Sequence, residues 1–336
     1  MRKINFKKLK KTFIIAEIGN NHEGNFKLAK KLIYLAYKAK VDAVKFQTFN
    51  TEDFINKKEK KRFKKLKKFE LTEKQFIELK KFAHSKKLKF ISTPLDIKSA
   101  DFLIQNSDII KIASSDNNFF PMIDKIISSK KNMIISTGLT NINEIFFLRN
   151  RIYKLIGRKL AHERIAFLHC VTSYPVKDEF ANLDSIKYLI DKLNFVIGYS
   201  DHTLGLEATS IATSMGAKII EKHFTIDKYF SNFRDHFLSA DFKEMTEMVK
   251  KIRKIELLKG SYQKKIQQCE KIFLNSIRRA PYASHQIDKG ELLTLENTKF
   301  LRSTNSKNFF NMKNIVGKKF IKSVKKDKKI LKKNII

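Results

Sequence analysis

Two lysines and two histidines of this sequence lie within, or at the end of, short apolar segments. Lys45 and Lys111 lie inside two such segments, and His202 and His223 lie at the ends of two others. Lysines can neutralise an anion such as a phosphorylated carboxylate. Two imidazoles, with carboxylate or water, suit manganese, iron, cobalt or zinc and leave coordination positions open for a substrate oxygen. The four residues therefore indicate an anion pocket beside a divalent-metal site.

Further polar side chains stand at the ends of the same kind of segment. They are Glu17, Gln47, Thr93, Ser114, Asp116, Ser136, Thr172, Tyr174 and Ser200. Taken singly, each has an ordinary structural interpretation, since Asp and Thr cap helices and a strand lysine can extend its amine to the surface. Their joint placement favours a functional site. His169 lies within a segment, where a hydrogen-bonded core histidine is an equally good interpretation, and Cys170 is expected to be a small buried residue.

The elements that must position these residues alternate between strand and helix. Short apolar runs predict strands at 12–18, 43–47, 89–93, 109–114, 133–137, 165–170, 195–200 and 218–224. Amphipathic stretches lie between them, as at 26–38, where apolar residues recur at helical spacing. Eight strand–helix units favour an α/β fold of the TIM (βα)8 barrel type, whose active site lies at the carboxyl ends of the strands. A doubly wound open sheet is the alternative, but no glycine-rich phosphate motif follows the first strand.

The pattern changes near residue 260. We predict a barrel domain over 1–262, a polar linker over 263–275 and a small, mostly β domain over 276–336. The last region contains short apolar runs separated by turn signals such as Asp-Lys-Gly at 288–290.

The chain is strongly basic, with 70 Lys and Arg against 34 Asp and Glu among 336 residues. A net charge of +36 could indicate nucleic-acid binding, but lysine is spread along the whole chain, which favours a solvated surface. The densest basic run, at 57–68, is interpreted as a solvated loop or helix face, with contact to a polyanion as the minority reading. No run approaches the ~18 apolar residues of a membrane helix. With two cysteines and no signal-peptide pattern, a cytoplasmic location is expected.

Several motifs, in order along the chain, resemble those of the sialic acid synthase family, which includes N-acetylneuraminate, legionaminic acid and pseudaminic acid synthases. The matching segments are AEIGNNHEGN (16–25), AVKFQT (43–48), STPLD (92–96), KIASSD (111–116), ISTGL (135–139), LHCVTSYP (168–175), GYSDHTLG (198–205), EKHFT (221–225) and RDHFLSAD (234–241). The segment at 278–302 is similar to the family's antifreeze-like SAF (β-clip) domain. The resemblance covers nearly the whole chain.

The resemblance implies roles for individual residues. Phosphoenolpyruvate would be held by Lys45, Thr93, Lys111, Ser114, Ser136 and Ser200; the sugar would be contacted by Gln47, Thr172, Tyr174, Asp235 and Arg302; protons would be moved by Glu17 and Asp116. His202 and His223 would bind a divalent metal, manganese by analogy with the family, with magnesium or cobalt as alternatives. The resemblance also implies a domain-swapped homodimer, in which each small domain covers the partner's barrel.

The implied reaction condenses phosphoenolpyruvate with N-acetylmannosamine, or a related amino-sugar aldehyde, and water, giving a sialic-type acid and phosphate. Such acids serve cell-surface polysaccharide synthesis. A diacetamido-trideoxy hexose is the alternative acceptor, as in legionaminic or pseudaminic acid synthases.

The sequence departs from the family at Ser115-Asp116, at Thr172 and at Arg302-Ser303-Thr304; the last two departures touch acceptor recognition more than the phosphoenolpyruvate pocket. The changes at Ser115-Asp116 and Thr172 leave an inactive homologue as a remote alternative, and the charge leaves a basic nucleic-acid-binding protein as another. A barrel synthase that uses a phosphorylated sugar is a further alternative, against which the SAF-like tail argues.

Overall fold

In the computed structural model, which describes residues 3–273, 277–302 and 315–336, the first unit of the chain is a closed barrel. Eight parallel strands pair in chain order, and the last returns to the first. They are β1 (Phe13–Gly19), β2 (Ala43–Thr48), β3 (Lys89–Pro94), β4 (Ile109–Ile112), β5 (Asn132–Ser136), β6 (Ile165–Cys170), β7 (Val196–Asp201) and β8 (Ile219–His223). The predicted TIM barrel is confirmed, and it excludes the open sheet.

Helices surround the barrel. They are α1 (Phe26–Lys38), α2 (Thr51–Phe54), α3 (Lys60–Phe69), α4 (Glu73–Ser85), α5 (Ile97–Asn106), α6 (Phe120–Ser128), α7 (Ile142–Arg164), α8 (Ser185–Leu193), α9 (Glu207–Met215), α10 (Arg234–Leu238) and α11 (Phe242–Lys259). Side-chain caps define several starts: Asn25 accepts a hydrogen bond from the Leu28 amide at the start of α1, and Asp241 and Glu244 form a capping box at the start of α11. A non-helical Gly157 interrupts α7.

Successive side chains along each strand face opposite sides of the barrel wall, which divides the core into two layers. One layer lies between strands and helices, and includes Ile14 and Val44. The other fills the barrel and includes Phe13, Ile15 and Ile219. This interior is tight, because a Cβ added to Gly198 would lie 2.5 Å from Leu168 Cδ2 and 2.7 Å from Ile219 Cβ. The barrel is therefore a packed core beneath its carboxyl-end rim.

The second compact unit spans Ser261–Ile336, whereas the first spans Met1–Gly260. It contains the antiparallel strands β9 (Arg279–Ala283) and β10 (Thr298–Arg302), with Ala283 opposite Thr298. Its own core includes Ile287, Leu293, Phe320 and Ile330. The small, mostly β architecture is thus present, while its identity as an SAF domain and the exact domain bounds stay predictions.

No helix in the described ranges is long and apolar enough to span a membrane. The basic run at 57–68 forms most of α3, and seven of the ten residues of this helix are basic. Its lysines and its arginine are exposed, as expected of a solvated helix face.

Candidate active site at the carboxyl end of the barrel

A cavity of about 340 Å³ opens at the carboxyl ends of the barrel strands. Twelve of the fifteen predicted site residues line it, namely Glu17, Lys45, Gln47, Thr93, Lys111, Ser114, Ser136, Tyr174, Ser200, His202, His223 and Asp235. The structure therefore brings together most of the residues predicted from the sequence: they come from seven barrel strands, from loops after the strands, including Tyr174 after β6, and from α10, which carries Asp235.

The floor of the cavity is a buried network of two lysines and two glutamates. Lys45 Nζ lies 3.1 Å from Glu17 Oε2 and 3.4 Å from Glu221 Oε1. Lys111 Nζ lies 3.6 Å from the same Glu221 oxygen and donates a hydrogen bond of 2.7 Å to Ser136 Oγ. Ser200 Oγ also donates to Glu221 Oε1, at 2.9 Å. Because all four charged groups are buried, each depends on the others for its ionised state.

Strand register explains why these residues meet. In the parallel ladder, Glu17 lies opposite both Lys45 and His223, and Ser200 lies opposite Glu221. On β8, Ile219 belongs to the barrel interior, and Glu221 and His223 follow it at spacings of two residues on the same face. The inward face of each strand thus changes from apolar to polar towards its carboxyl end.

Opposing effects set the protonation of the floor. Burial raises the pKa of Glu221, but Lys111 and Lys45 outweigh it and lower this pKa to about 2. Burial, only partly offset by Lys45, raises the pKa of Glu17. Burial also lowers the pKa of Lys111, although Glu221 counteracts it. At neutral pH, Glu221 is therefore ionised, and its charge favours the protonated form of both Lys45 and Lys111.

His202 and His223 lie side by side, with ring centroids 5.4 Å apart. His202 Nδ1 lies 2.9 Å from the Val171 carbonyl oxygen, so it carries the proton and leaves Nε2 free as a ligand. His223 Nδ1 is buried, and no described residue hydrogen-bonds to it. Burial, followed by the neighbouring His202, lowers the pKa of His223 well below its usual value, which favours the neutral imidazole that metals bind.

This pair fits a divalent metal with open coordination positions. Among the described residues there is no cluster of three or more His, Cys, Asp or Glu side chains suited to a metal. The two histidines would supply two nitrogen ligands, and other coordination positions would be open to water and substrate.

Aromatic and charged groups stand around the two histidines. The Tyr174 ring centroid lies 4.3 Å from that of His202, and the Arg234 guanidinium carbon lies 4.5 Å from the Tyr174 centroid. Arg234 Nε pairs with Asp235 Oδ1 at 3.2 Å, and the Asp235 side chain is largely buried. Gln47 is oriented by Asn20, whose Nδ2 donates to Gln47 Oε1 at 2.7 Å.

Three predicted site residues do not line the cavity. Asp116 ends a 3-10 helix, Ser114–Asp116, and accepts a hydrogen bond of 2.8 Å from Ser115 Oγ. Thr172 has a buried Oγ1 with no hydrogen-bond partner among the described residues. Arg302 is exposed at the end of β10, opposite Arg279 in the second unit. The next two residues, at 303–304, lie outside the described ranges.

Sequence reasoning assigned no role to several residues that line the cavity: Asn20, Arg62, Lys65, Cys170, Glu221 and Arg234. Glu221 carried a usable signal, because it precedes His223 by two residues on the same strand. Arg62 and Lys65 were hidden in the basic run at 57–68. Cys170 is buried, as expected, yet it reaches the cavity. His169 is a core histidine whose Nε2 lies 2.9 Å from the Ala181 carbonyl oxygen.

Several known proteins are similar to this chain in sequence and fold. The NeuB family model matches residues 32–264. An uncharacterized protein of Methanocaldococcus jannaschii is 42% identical over 87% of this chain and 85% of its own length. The N,N'-diacetyllegionaminic acid synthase of Campylobacter jejuni is 35% identical over 96% of this chain and 99% of its own. The crystal structure of an N-acetylneuraminic acid synthetase from Leptospira borgpetersenii, in complex with citrate, superposes with a TM-score of 0.73 at 34% identity, covering 78% of this chain and 90% of that one.

Proposed function

The chain belongs to the NeuB family, and from this premise we propose that it condenses phosphoenolpyruvate with an amino-sugar aldehyde and water, giving a nonulosonic acid and phosphate. The acceptor is N-acetylmannosamine or a related amino sugar. A diacetamido-trideoxy hexose is the alternative, supported by the name of the Campylobacter relative. The observation that carries the proposal is the buried Lys45–Glu221–Lys111 network lying beside the two histidines in one cavity.

The floor suits phosphoenolpyruvate because it offers fixed cations and hydroxyls on buried side chains. Lys45 and Lys111 neutralise the carboxylate and phosphate, and Ser114, Ser136 and Ser200 supply hydroxyl groups around them. Thr93 helps to orient Lys45, whose Nζ donates to Thr93 Oγ1 at 3.4 Å. These groups hold the enol carbon C3 towards the acceptor and stabilise the departing phosphate.

His202 and His223 would hold a divalent metal, manganese being our proposal. When bound, this ion supplies Lewis-acid polarisation of the aldehyde oxygen. Tyr174, Gln47 and Asp235 line the remaining wall and would position the sugar. In the reaction, C3 of phosphoenolpyruvate forms a bond to the aldehyde carbon and water adds at C2. The C2–O bond to phosphate then breaks, leaving the ketone that closes to the cyclic acid.

Glu17 is the proposed base for the attacking water. It lies at the floor, and its contact with Lys45 favours the ionised carboxylate that accepts a proton. Asp116 is the second candidate. It does not line the cavity, but while burial raises its pKa, Lys111 of the floor acts in the opposite direction, so the two charges lie close enough to interact.

The test is an assay of phosphate release and of product mass. Phosphoenolpyruvate and manganese are incubated with a panel of amino sugars that includes N-acetylmannosamine and diacetamido-trideoxy hexoses. We expect phosphate release that depends on one sugar, with a product that contains the sugar and three added carbons. A Lys111→Met variant should lose this activity, whereas Lys98→Met, which changes an exposed lysine, should keep it. Phosphoenolpyruvate that stays intact with every sugar would contradict the proposal.

The alternative classes predict other results. An inactive homologue would bind phosphoenolpyruvate without consuming it, and a nucleic-acid-binding protein would bind DNA with a steep salt dependence. The homodimer and the cytoplasmic location also stay predictions.

A further inference from the structure

One face of α3 belongs to the cavity. Arg62, Lys65 and Leu66 line it, and Phe69 follows at the next helical position of the same face. Phe69 anchors the helix, because its ring packs edge-on against Phe233 with centroids 5.1 Å apart. The helix is thereby fixed to the barrel rim with two cations directed to the cavity.

We call Arg62 and Lys65 the rim pair. Unlike the buried lysines of the floor, both are exposed, so they mark the open side of the cavity. Aromatic rings of the cavity wall hold them: Lys65 Nζ lies 4.7 Å from the Phe233 centroid, and the Arg62 guanidinium carbon lies 5.9 Å from that of Phe54. Two cations kept at a substrate cavity by ring faces retain their hydrogen-bond donors for a ligand.

The rim pair also lacks counter-charges. In the part of the chain that the structure describes, neither Arg62 nor Lys65 forms an ion pair with a carboxylate, whereas Lys67 of the same helix pairs with Glu70 at 3.1 Å. Of the other charged groups that line the cavity, Lys45 and Lys111 pair with the floor glutamates and Arg234 pairs with Asp235. The unpaired positive charge of the cavity therefore lies at its open side.

From this geometry, and resting on the proposed function, we propose that the rim pair is a subsite for an anionic group on the sugar acceptor. The aldehyde carbon must meet phosphoenolpyruvate at the floor, beside the histidines. The opposite end of an open-chain hexose, C6 and its substituent, then points to the open side, where Arg62 and Lys65 lie. A guanidinium and an ammonium together recognise a phosphate or carboxylate at that end. This inference departs from the expectation, based on the SAF-like tail, that the acceptor carries no phosphate.

The experiment compares N-acetylmannosamine with its 6-phosphate as acceptors, at saturating phosphoenolpyruvate and manganese. It uses the full chain, the double variant Arg62→Gln/Lys65→Gln and a matched control, Lys61→Gln/Lys64→Gln. The control removes two charges from the same helix, at residues that line a neighbouring groove but not the cavity, whereas Lys65 lines both. We expect the wild type to favour the phosphate ester at least about ten-fold in kcat/KM. The rim variant should lose that preference through a higher KM for the ester, and the control should keep it.

Each other outcome has a definite meaning. If wild type uses the neutral sugar as well as or better than the ester, the anionic subsite is wrong while the proposed condensation stands. If the control loses the preference for the phosphate ester equally, the preference comes from the overall positive charge of α3, and the specific subsite is wrong. If the rim variant changes only the KM for phosphoenolpyruvate, the pair serves that substrate instead and the inference fails. If neither sugar, nor any other amino sugar tested, leads to phosphate release, the proposed function is overturned and this inference with it.

Discussion

Lys222 Nζ lies 2.6 Å from Asp201 Oδ2, and both side chains are almost completely buried. Each residue directly precedes one of the paired histidines, and the two lie opposite each other in the β7–β8 ladder. Lys222 also donates to the Thr203 carbonyl at 2.9 Å, and Tyr199 and Thr203 donate to Asp201 Oδ1. Since successive strand residues face opposite ways, this ion pair lies behind the inward-facing histidines and joins the ends of their two strands.

Lys222→Met should therefore lower the free energy of unfolding by about 3–5 kcal/mol, because it leaves Asp201 buried without a counter-charge. Chemical denaturation measures the change. Lys98→Met is the control, since it removes an exposed partner of Asp53 and should cost less than about 1 kcal/mol. A loss for Lys222→Met as small as that of the control would show that Asp201 is stabilised without the lysine.

The barrel and most of the site were predictable because both depend on short-range patterns. Apolar runs gave all eight strands within two residues of their observed ends, and alternation along β8 puts Glu221 and His223 on the same inward face. A closed parallel barrel then brings every strand end to one rim, so residues far apart in sequence meet without any further information.

Removal of the proposed metal ligands gives a second prediction. We expect His223→Ala to lower kcat more than about 100-fold and to abolish the restoration of activity by manganese after chelation, because one of two protein ligands is lost. Binding of manganese, followed by its electron paramagnetic resonance, measures the ligand loss separately from turnover. His285→Ala, an exposed histidine in the second unit, is the control. Undiminished turnover and metal binding in His223→Ala would make the ligand assignment wrong.

Glu221→Gln should shift the pH dependence of phosphoenolpyruvate binding. Glu221 raises the pKa of Lys111 against the effect of burial, so its neutral replacement lowers that pKa further. As the pH rises, Lys111 then loses its proton earlier, and the KM for phosphoenolpyruvate should increase at a lower pH than in wild type. Steady-state kinetics across pH measure this, with Glu247→Gln as an exposed control. Identical KM profiles for wild type and Glu221→Gln would contradict the described coupling.

The parts of the site that sequence did not reveal depend on long-range packing. Arg62 and Lys65 stand in a run of similar charges, and only their contacts with Phe54 and Phe233 distinguish them from the lysines that face solvent. Asp116 shows the reverse case. Its position after β4 predicted a place in the site; it does not line the cavity, yet its carboxylate interacts with Lys111 of the floor, so its role stays a prediction.

A buried histidine beside the site gives the last prediction, a dependence of stability on pH. His22 is 1% exposed in the loop after β1, its Nδ1 accepts a hydrogen bond of 3.0 Å from the Gly24 amide, and its ring lies 5.9 Å from that of Phe46. Burial lowers its pKa from 6.5 to about 4, so the unfolded chain binds a proton that the folded chain resists. The stability due to the neutral ring is complete above pH 6.5 and is lost as the pH falls towards 4, by about 3 kcal/mol in all.

His22→Asn keeps an acceptor for the Gly24 amide but cannot titrate, so its unfolding free energy should fall less steeply over this range. Denaturation of both proteins at pH 7, 5.5 and 4 measures the difference, and parallel slopes would show that His22 is protonated as readily in the folded chain as in the unfolded one.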